Sequence, residues 1–213
     1  DSEWTRWADV GRNWDYGAVD WSATVPRTIF ALRHADGGRL YVSTDAGQSW
    51  TPLSVTVTPE RHTMLGVMDA NTLVYSDGDN GILRSTDTGA TWTQVSRLIT
   101  TSRQPVLFKG TFYIGTDKGL AVSTDKGASW ELRGGPASIT HGPFFGADAS
   151  VMVVVSTNGV HKSVDAGATW NKLLDLYSGG FRAVFWPAYA WDPIHDCLYA
   201  TGLCGPGYRY DLK

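Results

Sequence analysis

One octamer constrains this chain more than anything else in it, because it is written four times. Ser43-Thr44-Asp45-Ala46-Gly47-Gln48-Ser49-Trp50 returns as Ser85-Thr86-Asp87-Thr88-Gly89-Ala90-Thr91-Trp92 and as Ser123-Thr124-Asp125-Lys126-Gly127-Ala128-Ser129-Trp130. Ser163-Val164-Asp165-Ala166-Gly167-Ala168-Thr169-Trp170 is the fourth copy. The aspartates stand 42, 38 and 40 residues apart, a period that belongs to a repeat architecture. Each copy lies between short β-type runs, such as Leu40-Tyr41-Val42 before the first and Thr51-Pro52-Leu53 after it, so it reads as a hairpin turn. Asp is expected to accept backbone N–H groups two residues on, as an Asx-type turn, and Gly to supply the positive φ of the reversal. Trp then buries its ring between neighbouring sheets while the Ser and Thr hydroxyls satisfy leftover backbone groups. The structural set is therefore Asp45, Gly47, Trp50, Asp87, Gly89, Trp92, Asp125, Gly127, Trp130, Asp165, Gly167 and Trp170. An acid recurring identically in every unit is structural rather than catalytic, so Asp87→Asn is expected to lower the melting temperature and leave binding intact.

These octamers resemble the Asp-box (BNR) repeat of sialidases, xyloglucan-degrading glycosidases, sortilin-type receptors and secreted bacterial and phage proteins. The resemblance implies a β-propeller, with each box at the turn between the third and fourth strands of a blade, away from the active-site side. It covers nearly the whole chain and specifies the fold far better than any activity.

Composition agrees with a turn-rich all-β protein: ten Trp, nine Tyr and 24 Gly among 213 residues, with 18% charged. No window keeps a 3.6-residue apolar period for three turns, so no helix is expected. A net charge of −3 without a basic run argues against a nucleic-acid partner, and no apolar stretch is long enough for a membrane span. The opening Asp1-Ser2-Glu3-Trp4 shows no signal-peptide pattern, so a leader was either removed or never present. Cys197 and Cys204, if joined by an extended segment, lie roughly 23 Å apart at about 3.3 Å per residue. A disulfide needs Cα atoms within about 7 Å, so two thiols are expected.

Given the propeller resemblance, the chain divides into blades. Inner strands are expected at residues 18–21, 63–68, 105–109, 144–146 and 181–186. Second strands are expected at 28–33, 72–76, 112–115, 151–156 and 198–201, and third strands at 40–43, 82–85, 120–123, 160–163 and 208–210. Outer strands follow at 50–55, 92–95, 130–132 and 170–174. The last unit has no box and no outer strand, whereas residues 2–10 read like the tail of a box followed by one. Pairing of residues 4–10 with 208–210 would close the ring and remove its exposed edges. The expectation is a single domain over 1–213: an all-β, five-bladed β-propeller with four Asp-box repeats, its last blade closed by the N-terminal strand. The competing reading is a piece of a larger propeller.

In such a fold the connections from the outer strand to the next inner strand share one face, at the mouth of the central channel, with the turns between second and third strands. The inter-blade connections, read as 11–17, 56–62, 97–104, 133–142 and 175–180, place Asp15, Tyr16, Arg61, His62, Arg103, His141 and Arg182 near the starts of inner strands. Trp14 and Tyr177 stand beside them, and the other turns add His34, Asp36, residues 77–80, Asp117, Lys118 and Asn158. Aromatic faces stack on sugar rings and Arg, Asp and His reach hydroxyls or carboxylates, although a solvated rim is polar in any case. Glycoside hydrolysis needs two flanking carboxylates. Of three Glu, Glu3 and Glu131 fall on outer strands, leaving Glu60 with Asp15 as the conceivable pair. Val25-Pro26-Arg27-Thr28 does not match the sialidase Phe-Arg-Ile-Pro motif. Asp77-Gly78-Asp79-Asn80-Gly81 departs from a calcium loop, its Gly one position early and residue 88 a Thr. No metal or cofactor is expected. The readings left open are an extracellular, lectin-like module binding a glycan at the channel mouth, a glycoside hydrolase or lyase of the Asp-box kind, and an assembly propeller of a virion or cell surface.

Overall fold

In the computed structural model, the described residues are 14–20, 28–33, 39–56, 64–76, 80–176, 188–202 and 207–213, without the side chains of 15, 16, 55 and 56. All regular structure among them is antiparallel strand, in five sheets with hairpin order. The first sheet comprises β1 (Trp14–Val19), β2 (Ile29–Arg33), β3 (Arg39–Ser43) and β4 (Thr51–Thr56). The second comprises β5 (Met64–Val67), β6 (Leu73–Ser76), β7 (Ile82–Ser85) and β8 (Thr93–Ser96). In the third are β9 (Val106–Phe108), β10 (Thr111–Thr116), β11 (Gly119–Ser123) and β12 (Glu131–Leu132). β13 (Ile139–Phe145), β14 (Met152–Ser156), β15 (Gly159–Ser163) and β16 (Asn171–Leu174) make the fourth. The fifth has three strands: β17 (Ala188–Asp192), β18 (Cys197–Thr201) and β19 (Tyr208–Asp211).

The chain divides into two compact units, residues 1–105 with 123–130, and residues 106–122 with 131–213. In the first, Phe30, Leu32, Leu40, Val42 and Leu53 of one sheet pack on Leu65, Leu73 and Tyr75 of the next. Trp92 sits in that seam, stacked on Phe30 at 6.1 Å and edge-on to Tyr75 at 6.0 Å. The second unit has two such seams. Tyr113, Leu120 and Val122 meet Ile139, Met152 and Val154 beside Trp170, and Val153, Val155 and Val160 meet Leu198 and Leu212. The valine run of β14 is buried on both faces, which is why it reads as a continuous apolar run rather than an alternation.

The four box turns share one geometry. In each, the residue before Gly and the Gly itself both have positive φ: Ala46 at 59° and Gly47 at 88°, Thr88 at 58° and Gly89 at 91°, Lys126 at 56° and Gly127 at 79°, Ala166 at 59° and Gly167 at 88°. Two successive left-handed residues make the turn whose twist suits a hairpin. This corrects the Asx reading. Ser, not Asp, accepts the N–H two residues on (Asp45 N to Ser43 Oγ, 3.4 Å) and also that of Gly47 at 2.8 Å. Asp reaches the far side of the turn, where Asp45 Oδ1 accepts Ser49 N at 2.9 Å and Oδ2 accepts the Ser49 hydroxyl at 2.6 Å.

The strand expectations need two further corrections. β1 begins at Trp14 rather than residue 18, and its register shifts between Trp14 and Tyr16, so a bulge at Asp15 carries the strand through what had read as a loop. β13 begins at Ile139 rather than 144, and register shifts on either side of His141 absorb Gly142-Pro143, which had read as a break. In the last sheet the first described strand is Ala188–Asp192. The inner strand expected at 181–186 lies outside the described residues, as does the closing segment 4–10. Cys197 is a free thiol within β18, and Cys204 lies outside the described residues.

Candidate functional site

Of the expected rim residues, His34, Glu60, Arg61, His62, Tyr177 and Arg182 lie outside the described residues, and the side chains of Asp15 and Tyr16 are likewise not described. The Glu60–Asp15 pair therefore has no described geometry. Trp14 belongs to β1 rather than a loop, and it is half-buried, its ring 5.0 Å from Trp50 and 5.5 Å from Tyr41. Arg33 donates to the Tyr41 hydroxyl at 3.3 Å, continuing that row. Arg103 is exposed, and its carbonyl accepts Leu65 N at 3.0 Å, tying the connection before β9 to the start of β5. Gln104 donates to Gly17 O in the same way.

His141 leads somewhere. It sits in β13, half-buried, with its ring edge-on to Tyr189 of β17 at 4.8 Å. Its Nδ1 lies 3.0 Å from the Thr140 hydroxyl, whose hydrogen is given to Val155 O at 3.2 Å. At the same end of this unit, the turn before β11 is closed by Thr116 Oγ donating to Gly119 O at 2.7 Å, and Ser138 N donates to Asp117 O at 3.3 Å.

Tyr189 also lines a cavity of about 460 Å³ on the last sheet, with Ala188, Ala190, Tyr199, Thr201 and Arg209. Strand alternation and register explain why this face is open. Ala190, Tyr199 and Arg209 are cross-strand partners, as are Ala188 and Thr201, so these side chains share one face. The opposite face carries Leu198 and Ala200, which are buried. The open face is a floor of small residues from which Tyr199 stands 42% exposed. Sequence reasoning passed over Tyr199 because it took residues 198–201 only as the second strand of the last blade and sought ligand contacts in the connections. The available signal was an aromatic in strand alternation with Ala190, Thr201 and Arg209.

Arg209 is held at the edge of that floor by Asp211 at 2.9 Å and the Cys197 sulfur at 3.3 Å. The thiol donates to Asp211 Oδ1 at 2.9 Å. That bond, followed by burial, pushes its pKa up, so Cys197 is a protonated donor and not a nucleophile. Among the described residues the lining holds no carboxylate, Asp211 being bonded to the lining Arg209. Among the described residues no group of three His, Cys, Asp or Glu is placed to hold a metal, and no helix is long and apolar enough to cross a membrane. Among the described residues the box aspartates and Asp69 are the acids lowered to about 2. Asp45, Asp87 and Asp165 are lowered to about 2, first by the hydroxyl of Ser49, Thr91 or Thr169 and then by the backbone N–H of the same residue. At Asp125 partial burial works against the shift, and bonds from Ser129 and Ser123 still bring it to about 2.

The BNR/Asp-box repeat family matches residues 41–52, and all four octamers fold alike. The fold resembles that of a GH74 enzyme from Niastella koreensis, with TM-score 0.59 and 22% identity over 88% of this chain and 33% of the other. It also resembles the GH74 xyloglucanase from Xanthomonas campestris, with TM-score 0.61 and 18% identity over 93% of this chain and 37% of that one. A structure of YCF48 bound to D1 peptide gives TM-score 0.56 at 14% identity, over 93% of this chain and 64% of the other. The chain thus spans about a third of the GH74 proteins and under two thirds of the YCF48 chain. No curated protein matches the chain by sequence. The repeat and these likenesses are those of an Asp-box propeller family.

Proposed function

We propose that this chain is an extracellular carbohydrate-binding module, and that it takes a sugar on the Tyr199 face of its last sheet. One observation carries the reading: an exposed tyrosine ring above a floor of Ala and Thr, in a cavity of about 460 Å³ with a guanidinium at its edge and no carboxylate in its lining. A pyranose presents an apolar C–H face to such a ring and hydroxyls to Arg209 and Thr201. Glycoside hydrolysis needs two flanking carboxylates; among the described residues the cavity lining supplies none, and Asp211 beside it is tied to Arg209 and the Cys197 thiol, so binding fits this cavity better than hydrolysis. The fold likeness to a xyloglucanase suggests β-glucan-backbone sugars as the first ligands to try.

The test is calorimetric titration with xyloglucan oligosaccharides. Tyr199→Ala is expected to weaken binding at least tenfold at an unchanged melting temperature. Equal affinity in the variant would remove this face from the reading. Polysaccharide hydrolysis abolished by Glu60→Gln would favour the glycoside hydrolase, and binding of protein alone would favour the assembly role.

A further inference from the structure

A second cavity, of about 470 Å³, lies in the fourth sheet's neighbourhood and is lined by Gly135, Pro136, Asn158, His161, Trp170 and Lys172, with Ala168 and Thr169. Its walls are set by close backbone approaches. Gly135 has φ of 105°, and a Cβ there would stand 3.1 Å from Trp170 Nε1, so only glycine lets the chain run along the indole. The Lys172 stem lies against Gly159, where a Cβ would come within 2.7 Å of Cε.

The hydrogen-bond capacity of the lining is mostly spent inside the protein, and what remains is one-sided. Trp170 Nε1 donates to Gly167 O at 3.0 Å, and the Thr169 hydroxyl donates to Asp165 Oδ2 at 2.6 Å. Asn158 Oδ1 accepts from Ser156 at 2.7 Å, which leaves its NH₂ group as a donor. Lys172 adds an ammonium, shared with the exposed Asp175 at 3.2 Å. Among the described residues the cavity lining holds no carboxylate.

His161 is the least expected member. It is 6% exposed, and its Nδ1 is sealed from solvent without a hydrogen-bond partner. Burial lowers its pKa most, a ring hydrogen bond to the Gly159 backbone opposes that shift, and Lys172 adds to it. The lowered pKa keeps the ring neutral, and a neutral imidazole keeps one nitrogen as an acceptor. Buried polar atoms in native proteins are nearly always satisfied, by water or a ligand where no protein group serves. The other repeats have no counterpart to this pair: Leu83 and Gln94 in the second sheet, and Ala121 and Leu132 in the third, occupy the positions of His161 and Lys172.

We propose that this cavity is a binding subsite for an acidic sugar residue. The pyranose lies on the Trp170 ring and Pro136, its carboxylate meets Lys172 and the Asn158 amide, and one hydroxyl donates to His161 Nδ1 after a modest turn of the imidazole. The carboxylate accounts for the one-sided donors, the ring for the aromatic wall, and the hydroxyl for the orphan acceptor. The site is distinct from the Tyr199 cavity and does not depend on what binds there.

The experiment titrates the isotope-labelled protein with trigalacturonate, its fully methyl-esterified form and acetate, following the Trp170 indole N–H and the His161 ring. Trigalacturonate is expected to shift both signals, at least tenfold more tightly than the ester. Lys172→Met should weaken it at least tenfold, while Asp175→Asn and Tyr199→Ala leave it at least as tight. The proposal is overturned if ester and acid bind alike, if Lys172→Met has no effect, if acetate binds as tightly as the trisaccharide, or if no signal at Trp170 moves at millimolar concentration.

Discussion

The box turns and the corresponding end of the last sheet solve one problem by different means. In every box one set of side-chain bonds runs between residues two to four apart, and two boxes add a backbone bond from further off, Thr88 N to Asn71 O and Ala166 N to Ser150 O, both at 3.0 Å. Ser to Asp measures 2.7–2.8 Å, Gly N to Ser 2.8 Å and the Ser or Thr hydroxyl to Asp 2.6 Å in all four copies. The last sheet has no box. Its turn between β17 and β18 is held by Asp196, which takes Trp191 Nε1 at 3.2 Å and Lys162 Nζ at 2.5 Å, while Leu212 N donates to Asp196 O at 2.8 Å. Lys162 lies 34 residues away, in the fourth sheet. A turn that closes on itself keeps its geometry wherever it is copied. The last turn has local bonds of its own, Asp192 Oδ1 accepting Ile194 N at 2.9 Å and His195 N at 3.2 Å, but its bond to Lys162 exists only when the two sheets are packed.

That contrast can be broken at several points. The largest effect is expected from Gly89→Ala. A side chain at φ of +91° costs about 1–3 kcal/mol, and its Cβ would stand 2.6 Å from Leu53 Cδ1, adding about 1–3 kcal/mol of overpacking. Urea unfolding should therefore show a midpoint well below that of the parent protein. Ser85→Ala comes next. It strands the buried Gly89 N–H and unties Asp87, a loss of about 1–3 kcal/mol by the same measurement. Asp196→Ala should cost less than Ser85→Ala, because its ion pair with Lys162 is about one-fifth exposed on each side and water can replace part of it. If Asp196→Ala costs more, the long-range closure is the stronger of the two devices.

The smallest effect is a pH dependence. Box carboxylates lowered from 3.8 to about 2 contribute stability that is complete above about pH 4 and lost as the pH falls through about 2. Melting temperature should drop across that window, and less steeply in Asp87→Asn. An equal slope in the variant would show that the box carboxylates do not set the acid limb.

Much of this was legible in the residues. The octamer announced the hairpins, and the box Trp positions announced the seams that Trp92 and Trp170 fill. The left-handed residue before each Gly was not legible, because Ala, Thr and Lys all occupy it and none favours that conformation alone. Residues 11–17 and 133–142 misled for the opposite reason: both read as connections, yet bulges at Asp15 and around His141 carry strands through part of each. Tyr199 and His161 were overlooked because nothing in their own neighbourhoods marks them. Tyr199 is exposed only because its sheet buries the other face, and His161 is unpartnered only because of what the fourth sheet packs around it.

By itself the sequence determined the repeat, the turn in each repeat and the all-β class, since these depend on side chains bonding to backbone within eight residues. Only the tertiary structure decided which face of the last sheet stands open and which histidine is sealed in a wall. Both depend on partners that the chain brings together from tens of residues away.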